Sequence, residues 1–445
     1  MLCSATSHSR SDSEMTMIRR ILAVVLPILV AVAVPTAPAS AQGAVLGDDF
    51  LWGVGSAGFQ SEGSSPDSNW LRYSNSTRVH DRVGTSVDFR HRYAEDIENA
   101  RSMGVEVYRI SIEWARVQPS PEVWDQQELA YYDDVIHHIL RAGMRPMITL
   151  DHWVYPGWAA DRGGWNNPTM DAEWLANARA MVDRYAAYDP IWITINEPMV
   201  YTFLREVNFG GLAPQNVPLM LNQLVHVHRT IYDYIHARQP GAWVSSNSAY
   251  LPTVQPALDA LFLDRIADKQ DFVGIDYYYS VAATDVNTYN AATEEYWKAS
   301  TSADGLYYAL RYYARKFPGT PLYIVENGMP TKDGESRPDG YKREDQLRDA
   351  AYWISRAKSD GMNVVGYNYW SITDNYEWGS YASRFGLYRV DVKSDPSLTR
   401  QPTEAVAAYR DIIASEGVRS DYRPTRPAQF CSLVDAPTSC SQPVR

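Results

Sequence analysis

Short apolar segments alternate with helical patterns from Phe50 onward, and this alternation limits the fold more than any other feature of the chain. Five helical patterns are recognisable, and three of them end at a glycine suited to a helix C-cap, namely Gly104, Gly143 and Gly361. The five patterns are DFRHRYAEDIENARSMG, DQQELAYYDDVIHHILRAG, MDAEWLANARAMVDRYAAY, REDQLRDAAYWISRAKSDG and PTEAVAAYRDIIAS. Eight strand–helix repeats predict an α/β fold, a single-domain (β/α)8 TIM barrel. The predicted strands are rich in Val, Ile, Tyr and Trp, as expected for strands covered on both faces: FLWGVGSA, VEVYRISI, RPMITLDH, IWITIN, AWVSSNS, DFVGIDYYY, PLYIVEN and NVVGYNYW.

A doubly wound open sheet is the alternative arrangement of such repeats. It has little support, because no Gly-x-Gly-x-x-Gly turn follows the first strand to form a dinucleotide site. The 445 residues are 45% apolar and 21% charged, which is a globular composition and enough chain for one large barrel. The formal net charge of -12 argues against a nucleic acid partner, since phosphate backbones bind basic surfaces.

Polar and aromatic side chains stand at the ends of seven of the eight predicted strands. In a TIM barrel the active site lies at the C-terminal ends of the strands, so these side chains converge on one rim. A single polar strand end is usually a cap or a solvated loop, but seven together indicate a functional site. The residues are Gln60, Glu62, Arg109, His152, Trp153, Asn196, Glu197, Asp276, Tyr278, Glu326, Trp370, Asp374, Glu377 and Trp378.

Glu197 and Glu326 lie at the ends of the fourth and seventh predicted strands, which face each other across a barrel. Two facing carboxyl groups perform glycoside hydrolysis: one protonates the leaving oxygen, and the other attacks the anomeric carbon or activates water. Their pKa values must differ, and Arg109 and Tyr278 are placed to keep one of them ionised. Taken alone, either glutamate would be interpreted more simply as a helix N-cap or a loop carboxylate.

The N-terminal segment, residues 1–41, reads as a signal peptide. Arg19 and Arg20 precede an apolar run that is broken by prolines and ends in small residues before Gln42. Secretion is the expected localisation, and no stable membrane anchor is expected, although an uncleaved anchor is the alternative reading. Met17 is a second candidate start, which would make residues 1–16 an upstream extension.

Residues 42–417 are assigned to the barrel, and residues 418–445 form a Pro- and Ser-rich tail. The tail contains Cys431 and Cys440, an isolated pair in an exported chain, which predicts one disulfide. No cofactor or metal is expected, because two thiols are too few for zinc and His152 has no second histidine at ligand spacing on its strand.

From Phe50 to Ile413 the chain resembles family 1 glycoside hydrolases, the β-glucosidase family. The resemblance rests on specific motifs: FLWGVGSAGFQSEG, YRISIEWARVQP, ITLDHWVYPGWA, TINEP, IVENG and YWSITDNYEWGSYASRFGLYRVD. It implies that Glu197 is the general acid/base and Glu326 the nucleophile, with Arg109 and Tyr278 flanking the nucleophile. It also implies retention of the anomeric configuration, and hence carboxyl groups about 5–5.5 Å apart rather than about 8 Å.

The same resemblance assigns the groups that bind the sugar. Asn196 would hold the 2-hydroxyl, Trp370 would lie under the ring, Trp378 would donate its indole N–H, and Phe385 would lie near the 6-position. Glu377 would repel a 6-phosphate, which favours a neutral sugar. The groups expected on the remaining hydroxyls are Gln60, His152, Trp153 and Glu377.

The sequence departs from the family pattern at several places. The family usually has Asp-Leu where Val154 and Tyr155 stand, and Asn where Asp276 stands, near the leaving-group side of the site. The segment between the fifth and sixth strands is short, and the cysteine-containing tail lies outside the pattern. These departures indicate a reshaped rim.

The leading hypothesis is a secreted, retaining β-glycosidase that acts on terminal, non-phosphorylated β-D-glucosides or related β-glycosides, with a small glycoside or oligosaccharide as substrate. A transglycosidase on the same scaffold is the alternative within the enzyme class, and added alcohols would separate the two by their products. A catalytically inactive carbohydrate-binding barrel is the alternative from another class. It would predict the loss of a carboxylate, of Arg109 or of Tyr278, and all of these are present.

Overall fold

The computed structural model describes residues 45–279, 295–429, 431–442 and 444. Eight parallel strands close into a barrel in sequence order, and the first pairs with both the second and the last. The predicted (β/α)8 TIM barrel is thus confirmed, and every predicted strand forms. The strands are β1 Leu51–Gly55, β2 Val107–Ser111, β3 Arg145–Thr149, β4 Ile191–Asn196, β5 Trp243–Ala249, β6 Val273–Asp276, β7 Leu322–Asn327 and β8 Val364–Trp370.

Eight helices follow the strands in turn. They are α1 Phe89–Ser102, α2 Gln126–Arg141, α3 Met170–Tyr185, α4 Val217–Arg238, α5 Gln255–Leu261, α6 Asp304–Lys316, α7 Arg343–Ser359 and α8 Glu404–Ala414. Gly104, Gly143 and Gly361 follow three of them in the left-handed conformation, with φ of 84°, 80° and 89°, as the C-cap interpretation requires. Five of the eight were predicted from periodicity, whereas α4, α5 and α6 were not.

Helix α2 shows how local sequence sets an element. The Asp125 side chain accepts hydrogen bonds from the N–H groups of Gln127 and Glu128, which caps the first turn. Gly143 ends helix α2. The apolar stripe of the helix packs onto the barrel. The buried residues of that stripe are Leu129, Tyr132, Val135, Ile136 and Ile139.

The core has two layers. The inner layer fills the lower part of the barrel with Val107, Met147, Ile191, Ile193, Phe272, Tyr323 and Val325. The outer layer lies between strands and helices and forms one continuous apolar cluster. Because apolar side chains close the interior from below, the polar strand ends are left at the C-terminal mouth.

Short elements build the loops at this mouth and between the barrel units. A π-helix, Tyr201–Gly210, continues the short helix Pro198–Val200 after β4. Two-residue strands pair as Thr331–Lys332 with Ser383–Arg384 and as Tyr388–Arg389 with Gln401–Pro402. The remaining short helices are Gly58–Ser61, Asn69–Ser74, Trp114–Val117, Gly157–Asp161, Gly164–Asn166, Ala186–Tyr188, Pro214–Asn216, Leu263–Arg265, Tyr296–Lys298, Leu433–Asp435 and Thr438–Ser441.

The C-terminal tail packs on the barrel. Cys431 and Cys440 form a disulfide, as the sequence indicates. Within the loop that it closes, Asp435 forms a buried ion pair with Arg311 of α6. The Tyr250 hydroxyl, directly after β5, donates to the Val434 carbonyl. The tail therefore covers the outer side of the rim where the segment between β5 and β6 is short.

The predicted signal peptide, residues 1–41, lies outside the described residues. In the part of the chain that the structure describes, no helix is long and apolar enough to cross a membrane.

Candidate active site

The ends of β4 and β7 place the two predicted catalytic glutamates. Glu326 is the fifth residue of β7, and Glu197 directly follows β4 with a left-handed backbone, φ +39°. Pro198 begins a new helix there, so Glu197 sits at a sharp turn between strand and helix. Glu197 and Glu326 are both buried, and one oxygen of each lies within 4.8 Å of the other.

Both carboxylate oxygens of Glu326 accept hydrogen bonds. Arg109 Nη1 donates to Oε1, and the Tyr278 hydroxyl donates to Oε2 over 2.7 Å. Burial, followed by the charge of Glu326, raises the pKa of Tyr278 well above its usual range, so this phenol keeps its proton and acts as a donor. The structure thus places Arg109 and Tyr278, which were expected to flank the nucleophile, in hydrogen-bond contact with Glu326.

Arg109 organises the centre of the site from β2. Its side chain is fully buried, and Nε donates to Thr149 Oγ1 over 3.0 Å. Its Nη2 donates to Asn196 Oδ1 over 2.6 Å, while Nη1 holds Glu326. One guanidinium therefore fixes side chains from three other strands, and its rigid fork suits this task better than a lysine would.

Glu197 has the electrostatic surroundings of an acid. Burial is the largest cause that raises its pKa well above the usual range, followed by the negative charge of Glu326. Glu377 adds to this effect, and Arg109 opposes it. The surroundings of Glu197 thus favour its protonated form, while Glu326 is bound by a cation, and this is the kind of difference that acid and nucleophile roles require.

Gln60, Trp370 and Glu377 form one hydrogen-bonded wall. Trp370 Nε1 donates to Glu377 Oε1 over 3.0 Å, and Gln60 Nε2 donates to Oε2 over 3.2 Å. Burial raises the pKa of Glu377 to about 7, although the bond from Trp370 lowers it. Both carboxyl oxygens keep a second lone pair free to accept from a ligand.

His152 and Trp153 lie in the loop that follows β3, which ends at Thr149. Burial, followed by the charge of Arg109, lowers the pKa of His152 well below its usual range, so the imidazole is neutral. Its Nδ1 is buried and has no hydrogen-bond partner among the described residues. The Trp153 indole N–H is already donated to the Asn196 carbonyl over 2.6 Å, so its expected bond to a sugar hydroxyl stays a prediction.

Aromatic rings complete the enclosure. The His152 ring stacks on that of Trp370 at 5.8 Å, and the Trp153 and Trp378 rings are 5.1 Å apart. Phe385 lies in a buried cluster with Trp370, and Tyr278 packs against its ring at 5.6 Å. Gln60, His152, Trp153 and Trp378 line one small cavity together. Every residue to which the family resemblance assigns a catalytic or sugar-binding role is thus found at this mouth.

Sequence reasoning missed Asn247 in β5. Its Nδ2 donates to Asn196 Oδ1 over 2.7 Å and to Asp276 Oδ2. The available signal is an asparagine with a larger polar side chain in the middle of a serine-rich strand, although strand position alone does not show that it faces the site. Asp276 itself is buried, and one of its oxygens lies within 4.8 Å of oxygens of Glu197 and Glu326.

Glu62, counted above among the rim residues, does not face the mouth. It is buried, its Oε2 accepts from Arg116 Nε over 2.6 Å, and the Tyr132 hydroxyl donates to it over 2.9 Å. Glu113 lies beside it, and burial raises the pKa of Glu113 to about 8. Glu62 therefore supports the β1 and β2 loops from behind, whereas Glu113 reaches the small cavity that Gln60 and His152 line.

Comparisons with known proteins agree with this geometry. The profile described as glycosyl hydrolase family 1 matches residues 42–247 and 234–418. The chloroplastic galactolipid galactosyltransferase of Arabidopsis thaliana is 28% identical over 393 residues, which cover 79% of this chain and 61% of that protein. β-Glucosidase 42 of the same plant is 27% identical over 465 residues, covering 82% and 94% of the two chains.

Solved structures show the same fold. The family 1 β-glucosidase of Thermotoga maritima superposes with a TM-score of 0.72 at 22% identity, covering 84% of this chain and 98% of that one. The same enzyme in complex with deoxynojirimycin gives a TM-score of 0.72 at 23% identity, covering 84% and 99%. The profile match spans well over half of the chain, and the chain therefore belongs to glycosyl hydrolase family 1, a family of O-glycosyl hydrolases.

Proposed function

We propose that the chain is a retaining β-glycosidase that hydrolyses terminal, non-phosphorylated β-D-glucosides or closely related β-glycosides. The observation that carries this proposal is the close approach of the two carboxyl groups, with one oxygen of Glu197 within 4.8 Å of one oxygen of Glu326. Retaining enzymes place these groups about 5–5.5 Å apart, whereas inverting enzymes leave about 6.5–9.5 Å for a water molecule.

In the first step Glu197 acts as the acid. Its carboxyl proton passes to the glycosidic oxygen as the bond from that oxygen to the anomeric carbon breaks. A Glu326 oxygen attacks the anomeric carbon and forms a covalent glycosyl ester, while the aglycone leaves with the proton. Arg109 and Tyr278 hold Glu326 in place for this attack.

In the second step Glu197 acts as the base. It takes a proton from water, the water oxygen attacks the anomeric carbon, and the ester bond to Glu326 breaks. The sugar leaves with its original configuration, Glu326 is again a carboxylate, and Glu197 is again protonated. Asn196 is placed to bind the sugar 2-hydroxyl, since its Nδ2 lies 3.5 Å from Glu197 Oε2 and its Oδ1 accepts from Arg109, which also holds Glu326.

The wall around Glu377 supports a neutral sugar. The groups that donate to its carboxyl oxygens are Gln60 and Trp370, neither of which is cationic. A buried carboxyl in this position repels a phosphate group and accepts hydrogen bonds from sugar hydroxyls. The complex of the Thermotoga maritima enzyme with deoxynojirimycin supports a sugar-sized ligand here as well.

Secretion is part of the proposal. Residues 1–41 have the composition of a signal peptide, and the Cys431–Cys440 disulfide suits an oxidising compartment. N-terminal sequencing of the protein recovered from the medium should begin at Gln42. A protein retained in the cell with residues 1–41 intact would contradict this assignment.

Azide rescue tests the roles of the two glutamates. Glu326→Ala should abolish release of the phenol from an aryl β-glucoside, and azide should restore turnover with an α-glucosyl azide as product. Glu197→Ala should accumulate the glycosyl-enzyme from an activated substrate, and azide should then yield the β-glucosyl azide. Unchanged turnover by Glu326→Ala, or the opposite pair of azide products, would refute the assignment.

Transglycosylation is the second candidate, and two observations favour it. The chain is similar to a galactolipid galactosyltransferase, although it spans only 61% of that protein's length. Four large apolar side chains are exposed in the segments that follow β4 and β5, where an apolar acceptor could rest: Phe203, Leu204, Leu251 and Val254. Product analysis with added alcohols would measure the ratio of alkyl glucoside to free glucose. If free glucose is the only product at every alcohol concentration, this candidate is ruled out.

A further inference from the structure

Asp276 brings a third carboxyl group into the reaction centre, at a position where the family resemblance leads us to expect an amide. It is the last residue of β6, is 1% exposed, and pairs in register with Glu326 of β7. One of its oxygens lies within 4.8 Å of an oxygen of Glu197 and of an oxygen of Glu326. Three carboxyl groups thus meet where the proposed mechanism uses two.

The two oxygens of Asp276 have different surroundings. Oδ2 accepts from Asn247 Nδ2, which also donates to Asn196 Oδ1. Oδ1 is buried and has no hydrogen-bond partner in the described part of the chain. A buried anionic oxygen without a donor is unfavourable, whereas a protonated one becomes a donor itself.

The charges that face Asp276 are mostly negative. Carboxyl groups come from β4 with Glu197 and from β7 with Glu326, and the single cation is Arg109 of β2, which Glu326 already engages. The phenols of Tyr278 and Tyr313 are protonated, because burial raises the pKa of each well above its usual range. One guanidinium does not offset three buried carboxylates, so the group retains protons.

We propose that Asp276 shares protons with Glu197 and that its ionisation keeps Glu197 in the acid form to higher pH. Asp276 is a positioning residue in this scheme, because it acts through Glu197 and does not itself touch the reacting atoms. The inference rests on the proposed role of Glu197 as acid/base.

The coupling follows from adjacent like charges. As pH rises, the first proton to leave this pair comes from either Glu197 or Asp276, and the pair titrates as a unit. When it leaves from Asp276, the new negative charge makes ionisation of Glu197 less favourable, and the site keeps its acid. An asparagine at position 276 fills the same space and forms no such charge.

The pH profile of kcat/KM on an aryl β-glucoside tests the coupling. In Asp276→Asn we expect the basic limb to move to lower pH by about one unit, while the acidic limb stays in place because Asp276 is already neutral there. Asp304→Asn is the control, since Asp304 is a buried carboxyl of α6 outside the site, and it should move neither limb. A basic limb that does not move in Asp276→Asn would overturn the inference.

Thermal unfolding tests the same coupling without turnover. Burial and the two glutamates raise the pKa of Asp276 well above its usual range. The folded state therefore holds this proton more tightly than the unfolded chain does, and stability falls as pH rises above about 4. Asp276→Asn removes this loss of stability. The Tm of the variant should therefore exceed that of the wild type by a margin that grows as pH rises.

The double variant distinguishes coupling from burial alone. In a Glu197→Gln background one like charge is absent, so the Tm gain from Asp276→Asn should be smaller at each pH. A gain that does not depend on pH, or an equal gain in both backgrounds, would overturn the inference. A wild type without glycosidase activity would contradict the proposed function, while these unfolding data would still decide the coupling.

Discussion

The hydroxyl of Tyr278 donates a hydrogen bond to Oε2 of Glu326 over 2.7 Å. Tyr278 follows β6 and Glu326 lies in β7, so two neighbouring strands fix the orientation of the proposed nucleophile. The Phe385 ring packs edge-on against Tyr278 at 5.6 Å and holds the phenol in place.

Removing this hydroxyl should slow the reaction without unfolding the protein. A hydrogen bond to a charged group contributes about 1.5–3 kcal/mol, so Tyr278→Phe should lower kcat/KM by roughly 10- to 100-fold. Steady-state kinetics on an aryl β-glucoside would measure the change. Tyr307→Phe is the control, because Tyr307 donates to Asp360 away from the site, and equal losses in both variants would contradict the prediction.

Arg109→Met should damage both stability and catalysis. The change leaves Glu326 and Asn196 buried without the cation that binds them, and breaking a buried ion pair costs about 3–5 kcal/mol. Arg400→Met is a matched control, since Arg400 forms a buried pair with Asp96 outside the mouth. Chemical denaturation should show a comparable loss in both variants, but only Arg109→Met should lower kcat in the protein that remains folded.

Sugar binding should depend on pH through Glu377, whose pKa burial raises to about 7. The ionised carboxylate accepts stronger hydrogen bonds from sugar hydroxyls than the neutral acid does. The inhibition constant for glucose should therefore fall between about pH 6 and about pH 8 in the wild type, more than in Glu377→Gln. The same dependence in both proteins would show that another group is responsible.

The C-terminal tail should stabilise the rim. A disulfide that closes a short loop contributes about 2–4 kcal/mol, so Cys431→Ser should lower Tm, and a reducing agent should lower the Tm of the wild type only. Arg311→Met should lower it as well, because Asp435 is then buried without its cation. A tail that contributes nothing would leave Tm unchanged in both variants.

The barrel could be predicted from the sequence because each strand is a separate apolar run and the helices end at recognisable glycines. Helices α4, α5 and α6 were missed for different reasons. Helix α4 carries buried histidine and glutamine, and α5 has only seven residues. In α6 three tyrosines and an arginine are buried beside two leucines, so a pattern of aliphatic residues alone does not reveal the helix.

The site could be predicted in part, since residues at strand ends must meet at the mouth of a barrel. The hydrogen bonds among them depend on side-chain orientation, which strand position does not determine. Asn247 points inward from the middle of β5 and was missed, whereas Glu62 turns back to Arg116 and was expected at the rim. The orientation of Asp276 toward the two glutamates likewise required the three-dimensional structure.

The stereochemistry of the first product tests the central claim most directly. Proton NMR during the first minutes of hydrolysis of an aryl β-glucoside distinguishes the β-anomer from the α-anomer before mutarotation mixes them. With Glu197 and Glu326 oxygens within 4.8 Å, β-glucose should appear first. If α-glucose appears first, the enzyme inverts, and the covalent intermediate on Glu326 is contradicted.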